Sequence, residues 1–218
     1  MIDELRKSLT CEVRDDQVSK QLYSSDASIY CIEPVAIVLP RSKEELIQAV
    51  QIASKMGIPI IPRGAATGVV GGCLGKGLII DCAQHLSRII EINPEERYAI
   101  VQPGCVLDQL NAATAPYGLC FGPDTSTSNR VTIGGMVSTN ASGSHSLLYG
   151  TTQDNVLEIE LVLGSGEVVR SQSIDGHLYH QIEAIKEEFE KDIAAHFPKI
   201  HRRASGYSLD VLLQDGPI

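Results

Sequence analysis

Sixteen residues constrain this chain more than any others: Pro62-Arg63-Gly64-Ala65-Ala66-Thr67-Gly68-Val69-Val70-Gly71-Gly72-Cys73-Leu74-Gly75-Lys76-Gly77, which hold six of its 19 glycines. They follow directly on the apolar run Ile58-Pro59-Ile60-Ile61. Glycine carries no Cβ, so a strand that runs into clustered Gly and Ala leaves backbone N–H groups bare and free to take positive φ. Concave runs of such amides bind anions without a charged side chain. A second small-residue run follows at Thr132-Ile133-Gly134-Gly135-Met136-Val137-Ser138-Thr139-Asn140-Ala141-Ser142-Gly143. Two cradles in one short chain point to a long ligand with a diphosphate in its middle.

The rest of the composition narrows the class. At 218 residues the chain is one large domain or two small lobes sharing a core. Its net charge of −9 argues against a nucleic-acid partner, which needs a basic face. The cluster Lys199, Arg202, Arg203 reads as a solvated helix end. No apolar stretch approaches the ~20 residues that span a bilayer, and the charged start Met1-Ile2-Asp3-Glu4-Leu5-Arg6-Lys7 is unlike a signal peptide. The six cysteines are scattered without metal-ligand spacing, so they read as reduced, mostly buried thiols in a cytoplasmic protein.

Residues 1–33 read as a helical, polar lead-in, 34–93 as a first lobe and 94–218 as a second. Val35–Leu39 between two prolines is a strand. Ser42 then caps a helix, with Glu45 completing a capping box and Gly57 ending it. Strand 58–61, the glycine loop and strand 78–81 finish a β-α-β unit. The second lobe begins with strand 98–101 and a short helix over 106–115, closed by Pro116 and Gly118. Leu157, Ile159, Leu161 and Leu163 alternate with Glu158 and Glu160, the period of a long half-buried strand over 156–163. Gly164-Ser165-Gly166 turns it into a hairpin. Residues 178–196 form a charged amphipathic helix, whose acidic stretch 183–192 is a solvated face. The expected fold class is α+β.

Other nucleotide and nucleophile signatures fail. Gly75-Lys76 lacks the spacing of a P-loop, no G-x-G-x-x-G opens a helix, and no G-x-S-x-G elbow exists. Four ordered segments together are more specific: Arg63-Gly64-Ala65-Ala66-Thr67-Gly68, Gly122-Pro123-Asp124-Thr125, Thr132-Ile133-Gly134-Gly135 and Tyr149-Gly150-Thr151-Thr152-Gln153-Asp154-Asn155-Val156-Leu157. Over roughly residues 20–213 the chain resembles the two-lobed FAD-binding domain of the vanillyl-alcohol oxidase and p-cresol methylhydroxylase superfamily. Within it, the chain is most similar to D-lactate, glycolate and D-2-hydroxyglutarate dehydrogenases. Gly143-Ser144-His145-Ser146 and Arg202-Arg203-Ala204-Ser205-Gly206-Tyr207-Ser208-Leu209-Asp210 are similar to large members with a C-terminal iron–sulfur region.

The resemblance implies a site. Arg63, Gly64, Ala65, Ala66, Thr67 and Gly68 would wrap the FAD diphosphate with backbone amides, with Thr67 and Gly68 nearest the flavin. Thr132, Ile133, Gly134, Gly135, Ser138, Asn140, Ala141 and Gly143 would close its other side, with Ser138 and Asn140 as polar contacts. Pro123 and Asp124 would line the flavin. Thr67 stands where members with covalent flavin carry His, so the FAD should be non-covalent. Ala66 stands where the family often has Gly, and its methyl fits only if φ stays negative. The implied partners are a small 2-hydroxy acid and either the iron–sulfur region or an electron carrier.

The resemblance further implies that the chain stops before a Gly-Ser-Glu-Gly-Thr-Leu strand that completes the flavin domain, and before the substrate domain with its catalytic and metal-binding histidines. It therefore reads as an N-terminal part, inactive alone and binding FAD weakly or not at all, with no catalytic residue identifiable. Rival readings are a flavin reductase of cell-wall precursor synthesis and a non-catalytic binding module. His145 either touches substrate or holds its loop, Asp154 and Asn155 set a turn, and His177, His180, His196 and His201 face solvent.

Overall fold

Alternation along two short apolar runs builds the middle of a sheet in the computed structural model, which describes residues 2–174, 176–200 and 208–213. β2 (Ala36–Leu39) and β4 (Leu78–Asp81) pair in parallel, Val38 opposite Ile80, and every residue in both is buried. β3 (Ile60–Arg63) lies parallel on the far side of β4, with Ile61 opposite Ile79. Side chains alternate across a strand. Ala36, Val38, Leu78 and Ile80 therefore face one core with Ala49, Val50 and Ala53, while Ile37, Leu39, Ile61 and Ile79 face the other side, against Tyr23. Each fully buried aliphatic side chain contributes about 1.5–3 kcal/mol, so these two strands dominate the stability of the sheet.

The covering helix is α3 (Lys43–Lys55), and its start is set locally. Ser42 Oγ accepts from Glu45 N at 3.3 Å, while Glu45 Oε2 accepts from Arg41 N at 2.7 Å, one residue before the position expected for a capping box. Gly57 ends the segment at φ 64°.

The lead-in is not simply helical. Between α1 (Ile2–Ser8) and α2 (Gln17–Tyr23) lies β1 (Glu12–Arg14), which pairs antiparallel with β2 and makes the sheet order β1-β2-β4-β3. Leu5, Leu9 and Cys11 join the α3-side core. The strand is too short for its alternation to show in the sequence, since Val13 alone of its three residues is apolar.

A second core has its own elements. β5 (Ile89–Asn93), not anticipated above, pairs antiparallel with β6 (Tyr98–Val101), so this hairpin straddles residues 93 and 94. Ile89, Ala99 and Val101 pack against α4 (Leu107–Thr114) and α5 (Ile133–Thr139) through Cys105, Leu107, Leu110, Ile133 and Met136. A 3-10 turn over Ala115–Tyr117 and Gly118 close α4 as expected. Gly104 N donates to Leu86 O at 2.7 Å, tying this core to the chain leaving β4.

The long strand over 156–163 is not formed. Only β7 (Glu160–Val162) is strand, paired with β8 (Val168–Arg170) around the expected turn, and Leu157 is 69% exposed. Period-two alternation needs a covering layer to become burial, and β8 offers only three partners. The hairpin docks on α3 instead: Lys43 Nζ meets Glu160 Oε1 at 2.7 Å, and Val162 packs on the α3-side core. α6 (Ser146–Tyr149) is a single turn and α7 (Gly176–His196) is the charged helix, along which Lys186 pairs with Glu183. His177, His180 and His196 are exposed, whereas His201, Arg202 and Arg203, with most of the closing segment, lie outside the described residues. Among the described residues no helix is long and apolar enough to cross a membrane.

Candidate functional site

The glycine loop leaves β3 at Arg63 with its amides uncommitted. Among the described residues, none of the backbone N–H groups from 64 to 73 donates a hydrogen bond within the protein. Such a run of free donors at the C-terminal end of a parallel strand is suited to phosphate oxygens. Its conformation departs from expectation at Ala66, which sits at φ 56°, in the left-handed region. The condition of a negative φ is therefore not met. The turn needs the geometry a glycine would give, and Ala27 N holds the Ala66 carbonyl at 3.1 Å.

The two small-residue runs meet. A Cβ on Gly64 would stand 2.3 Å from Thr132 Oγ1, so only glycine lets the first run lie against the second. Thr132 is 1% exposed, and its Oγ1 has no hydrogen-bond partner. Ser142 Oγ in the second run and Thr125 Oγ1, next to Asp124, are also buried without partners among the described residues. Buried hydroxyls are ordinarily paired; an unpaired one at Thr132, against the loop of free amides, fits a polar ligand rich in oxygen. Gly68, by contrast, borders open space, with nothing within 4 Å of a built Cβ.

Not every expected residue presents itself to such a ligand. Arg63 is buried, and its Nη1 and Nη2 donate to Tyr23 O at 3.1 Å and Ser25 O at 2.8 Å. Ile133 N and Gly134 N are taken by Cys105 O and Pro103 O, and Gly134 is needed to clear Pro103. Ser138 Oγ donates back to Gly134 O at 2.9 Å, an i−4 bond that commits its proton. Asn140 closes α5 at φ 43°, with its Oδ1 accepting from Gln153 N, and Ala141 O accepts from Thr152 Oγ1. Gly143 packs on the Asp124 backbone; a Cβ there would meet Asp124 O at 2.0 Å. Ala65, Thr67 and Pro123 lie in the loops, and of these Pro123 is buried.

Asp124 and His145 form a pair that sequence reasoning considered only singly. Asp124 Oδ1 accepts from His145 N at 2.9 Å, and Oδ2 pairs with His145 Nδ1 at 2.5 Å. The backbone N–H first and the imidazole second hold the Asp124 carboxyl below its ordinary 3.8. His145 thus holds its loop. Asp154 Oδ2 accepts from Thr151 N and Oγ1, and Asn155 Nδ2 donates to Tyr149 O, so these two do set the turn. All six cysteines are free thiols, but only Cys11 and Cys105 are buried and Cys31 and Cys120 are exposed, fewer buried than expected. Burial pushes the Cys82 thiol up to about 12. No group of His, Cys, Asp and Glu that could hold a metal occurs among the described residues.

A sheet parallel in three of its four strands, a strand running into free amides, and a second run locked against the first are the features of a nucleotide-cofactor-binding domain. Residues 34–172 match the model of the FAD binding domain family, and the chain belongs to that family. A D-2-hydroxyglutarate dehydrogenase of Pseudomonas putida is 39% identical, over 91% of this chain and 21% of that protein. Glycolate oxidase subunit GlcD of Bacillus subtilis is 35% identical, over 72% of this chain and 34% of that one. The chain spans about a fifth of the length of the dehydrogenases it matches. Among solved structures, an alkyldihydroxyacetonephosphate synthase superposes with a TM-score of 0.70 at 23% identity, over 80% of this chain and 36% of that chain. Xylooligosaccharide oxidase from Myceliophthora thermophila gives 0.65 at 24% identity, over 78% and 36%. These two show the shared fold.

Proposed function

We propose that this chain is the FAD-binding part of a flavin-dependent dehydrogenase of 2-hydroxy acids, of the D-2-hydroxyglutarate, glycolate or D-lactate class. The observation that carries the reading is the run of free amides from 64 to 73, joined to the second run at Gly64 and Thr132. When bound, a flavin supplies the capacity to take a hydride at N5 from the carbon bearing the hydroxyl.

The chain's own residues bind and orient. Gly64, Ala65, Ala66, Thr67 and Gly68 would receive the diphosphate on backbone N–H groups, and the hydroxyl of Thr132 would find its missing partner along the ligand. Asp124 keeps its loop in place through His145 rather than touching the cofactor. Thr67, at the position of a linking His, supports non-covalent binding. The names of the relatives support a 2-hydroxy acid as substrate. An iron–sulfur region or separate electron carrier would take the electrons onward, and scattered free thiols favour a cytoplasmic setting. Division into two lobes is supported by the two separate cores.

Titration of FAD into the protein that carries this domain, followed by flavin fluorescence, tests the cofactor. Anaerobic bleaching of the bound flavin by D-2-hydroxyglutarate, glycolate or D-lactate in the protein that carries this domain tests the substrate. Saturable binding and bleaching by one of the three are expected; no FAD uptake, or no bleaching by any of them, overturns the reading.

A further inference from the structure

We propose that residues 23–31, upstream of the matched family segment, are a brace that holds the glycine loop in its ligand-receiving shape, with Arg63 and Tyr23 as positioning residues. The ligand in this proposal rests on the FAD reading above; the brace itself rests on contacts. At the mouth of the loop three chain ends are tied together. The Arg63 guanidinium, at the end of β3, turns away from the loop to hold Tyr23 O and Ser25 O, and its Cζ lies 5.0 Å from the centre of the Tyr23 ring. Tyr23 OH donates to Asp81 Oδ2 at 2.5 Å, at the end of β4. Asp81 Oδ1 in turn accepts from Ala83 N at 2.8 Å and Gln84 N at 3.1 Å, so the carboxylate is held on both sides.

From this knot the segment runs along the loop. Ala27 N donates to Ala66 O at 3.1 Å, Cys73 Sγ donates to Asp26 Oδ2 at 3.6 Å, and the Tyr30 ring fills the space beside Gly71, 2.9 Å from where a Cβ would stand. The contact at residue 66 matters most. An alanine resists the left-handed region, where its Cβ crowds the following carbonyl oxygen. Ala66 is there at φ 56°. Among the described residues the amides from 64 to 73 donate no hydrogen bond that could hold it, and Leu74 N reaches back only to Gly71 O. The brace supplies the hold from outside, and Arg63 serves the ligand through the backbone it positions.

A double-mutant cycle distinguishes this from general support of the fold. Tyr23→Phe removes the hydroxyl tied to Asp81; Arg63→Lys keeps the charge and loses the paired carbonyl bonds, so it serves if Tyr23→Phe folds poorly. Each is made in the parent and in Ala66→Gly, where glycine takes positive φ freely. Each is expected to weaken FAD binding about tenfold in the parent and no more than about threefold with Gly at 66, a coupling of the size seen for residues sharing one network. Equal losses in both backgrounds overturn the proposal. A second readout needs no flavin: trypsin cleavage after Lys76 in ligand-free protein, well below its melting temperature, should quicken about fivefold in Tyr23→Phe as the loop opens locally. An unchanged rate sinks the brace even if FAD binds, while faster cleavage in a protein that never takes up FAD upholds the brace and sinks only the cofactor reading.

Discussion

Gly64→Ala tests whether the two runs are joined as described. The added Cβ would stand 2.3 Å from Thr132 Oγ1, but 3.5 Å from Thr132 Cβ and 3.8 Å from Cγ2. The runs must therefore part by about 1 Å to restore an ordinary non-bonded contact near ~3.5 Å. Thr132 cannot swing away cheaply: it is 1% exposed, bridges to Val106, and begins α5. Overpacking of this kind costs about 1–3 kcal/mol. For a domain of this size each kcal/mol moves Tm by about 2–4 °C, so a drop of roughly 2–12 °C is expected. Residue 64 is not in the left-handed region, so the backbone adds no separate penalty. Thr132→Ala removes Oγ1 and Cγ2 and leaves the nearest atom at the comfortable 3.5 Å. The double variant should then recover about 1–2 kcal/mol relative to the sum of the single ones. Thermal melts of the four ligand-free proteins, followed by circular dichroism, read this directly. A single Gly64→Ala variant melting within about 1 °C of its parent, or strict additivity, would refute contact between the runs.

Four further outcomes are expected. Gly68→Val should leave the melting temperature unchanged, because a Cβ there meets nothing within 4 Å, yet abolish FAD uptake by occupying the space beside the free amides; retained flavin content counts against the site. Acid precipitation should release all bound flavin to the supernatant, and colour on the pellet would overturn non-covalent binding. Ile79→Ala, at a fully buried position, should cost about 2–5 kcal/mol, whereas Leu157→Ala should stay within about 0.5 kcal/mol, as urea titrations will show; a large loss at Leu157 would reinstate the long strand. The Asp124 carboxyl should titrate below 3.8 by NMR, and His145→Ala should raise it only part-way, because the larger cause, the backbone N–H of residue 145, remains. A depressed carboxyl supports its folded loop above the ordinary value and loses that support as pH falls through the lower folded one; full return to 3.8 in His145→Ala would show that the backbone bond is not made.

What could be read in the chain was local. The helix from Lys43 to Lys55 was legible because Ser42, a 3.6-residue apolar period and Gly57 all act within a turn of one another. The glycine loop was legible because clustered small residues after an apolar run have few other uses, and the turn at Gly164-Ser165-Gly166 for a similar reason. The segments that misled are those whose meaning depends on a distant layer. Leu157, Ile159, Leu161 and Leu163 alternate correctly for a half-buried strand, but nothing covers Leu157, which stays in water. Ile89, Ile90 and Ile92 carried a strand signal that is decided by pairing with β6. Glu12-Val13-Arg14 became a sheet edge only because β2 was there to pair with it.

The site divides in the same way. Its composition of free amides and small residues was present in the sequence, whereas the direction of its side chains was not. Arg63 beside a glycine loop reads only as one more backbone contact, and nothing local shows that its guanidinium is held by Tyr23 O and Ser25 O. Ala66 reads as negative φ until Ala27 holds its carbonyl in a left-handed turn. Gly64 reads as one more flexible position until Thr132 occupies the room a methyl would need. In each case a residue's own chemistry sets what it can do, and a partner brought close only by folding selects which of those things it does. Propensity and period act over a few residues, while van der Waals exclusion and hydrogen-bond partnership act on whatever the fold places within a few ångströms.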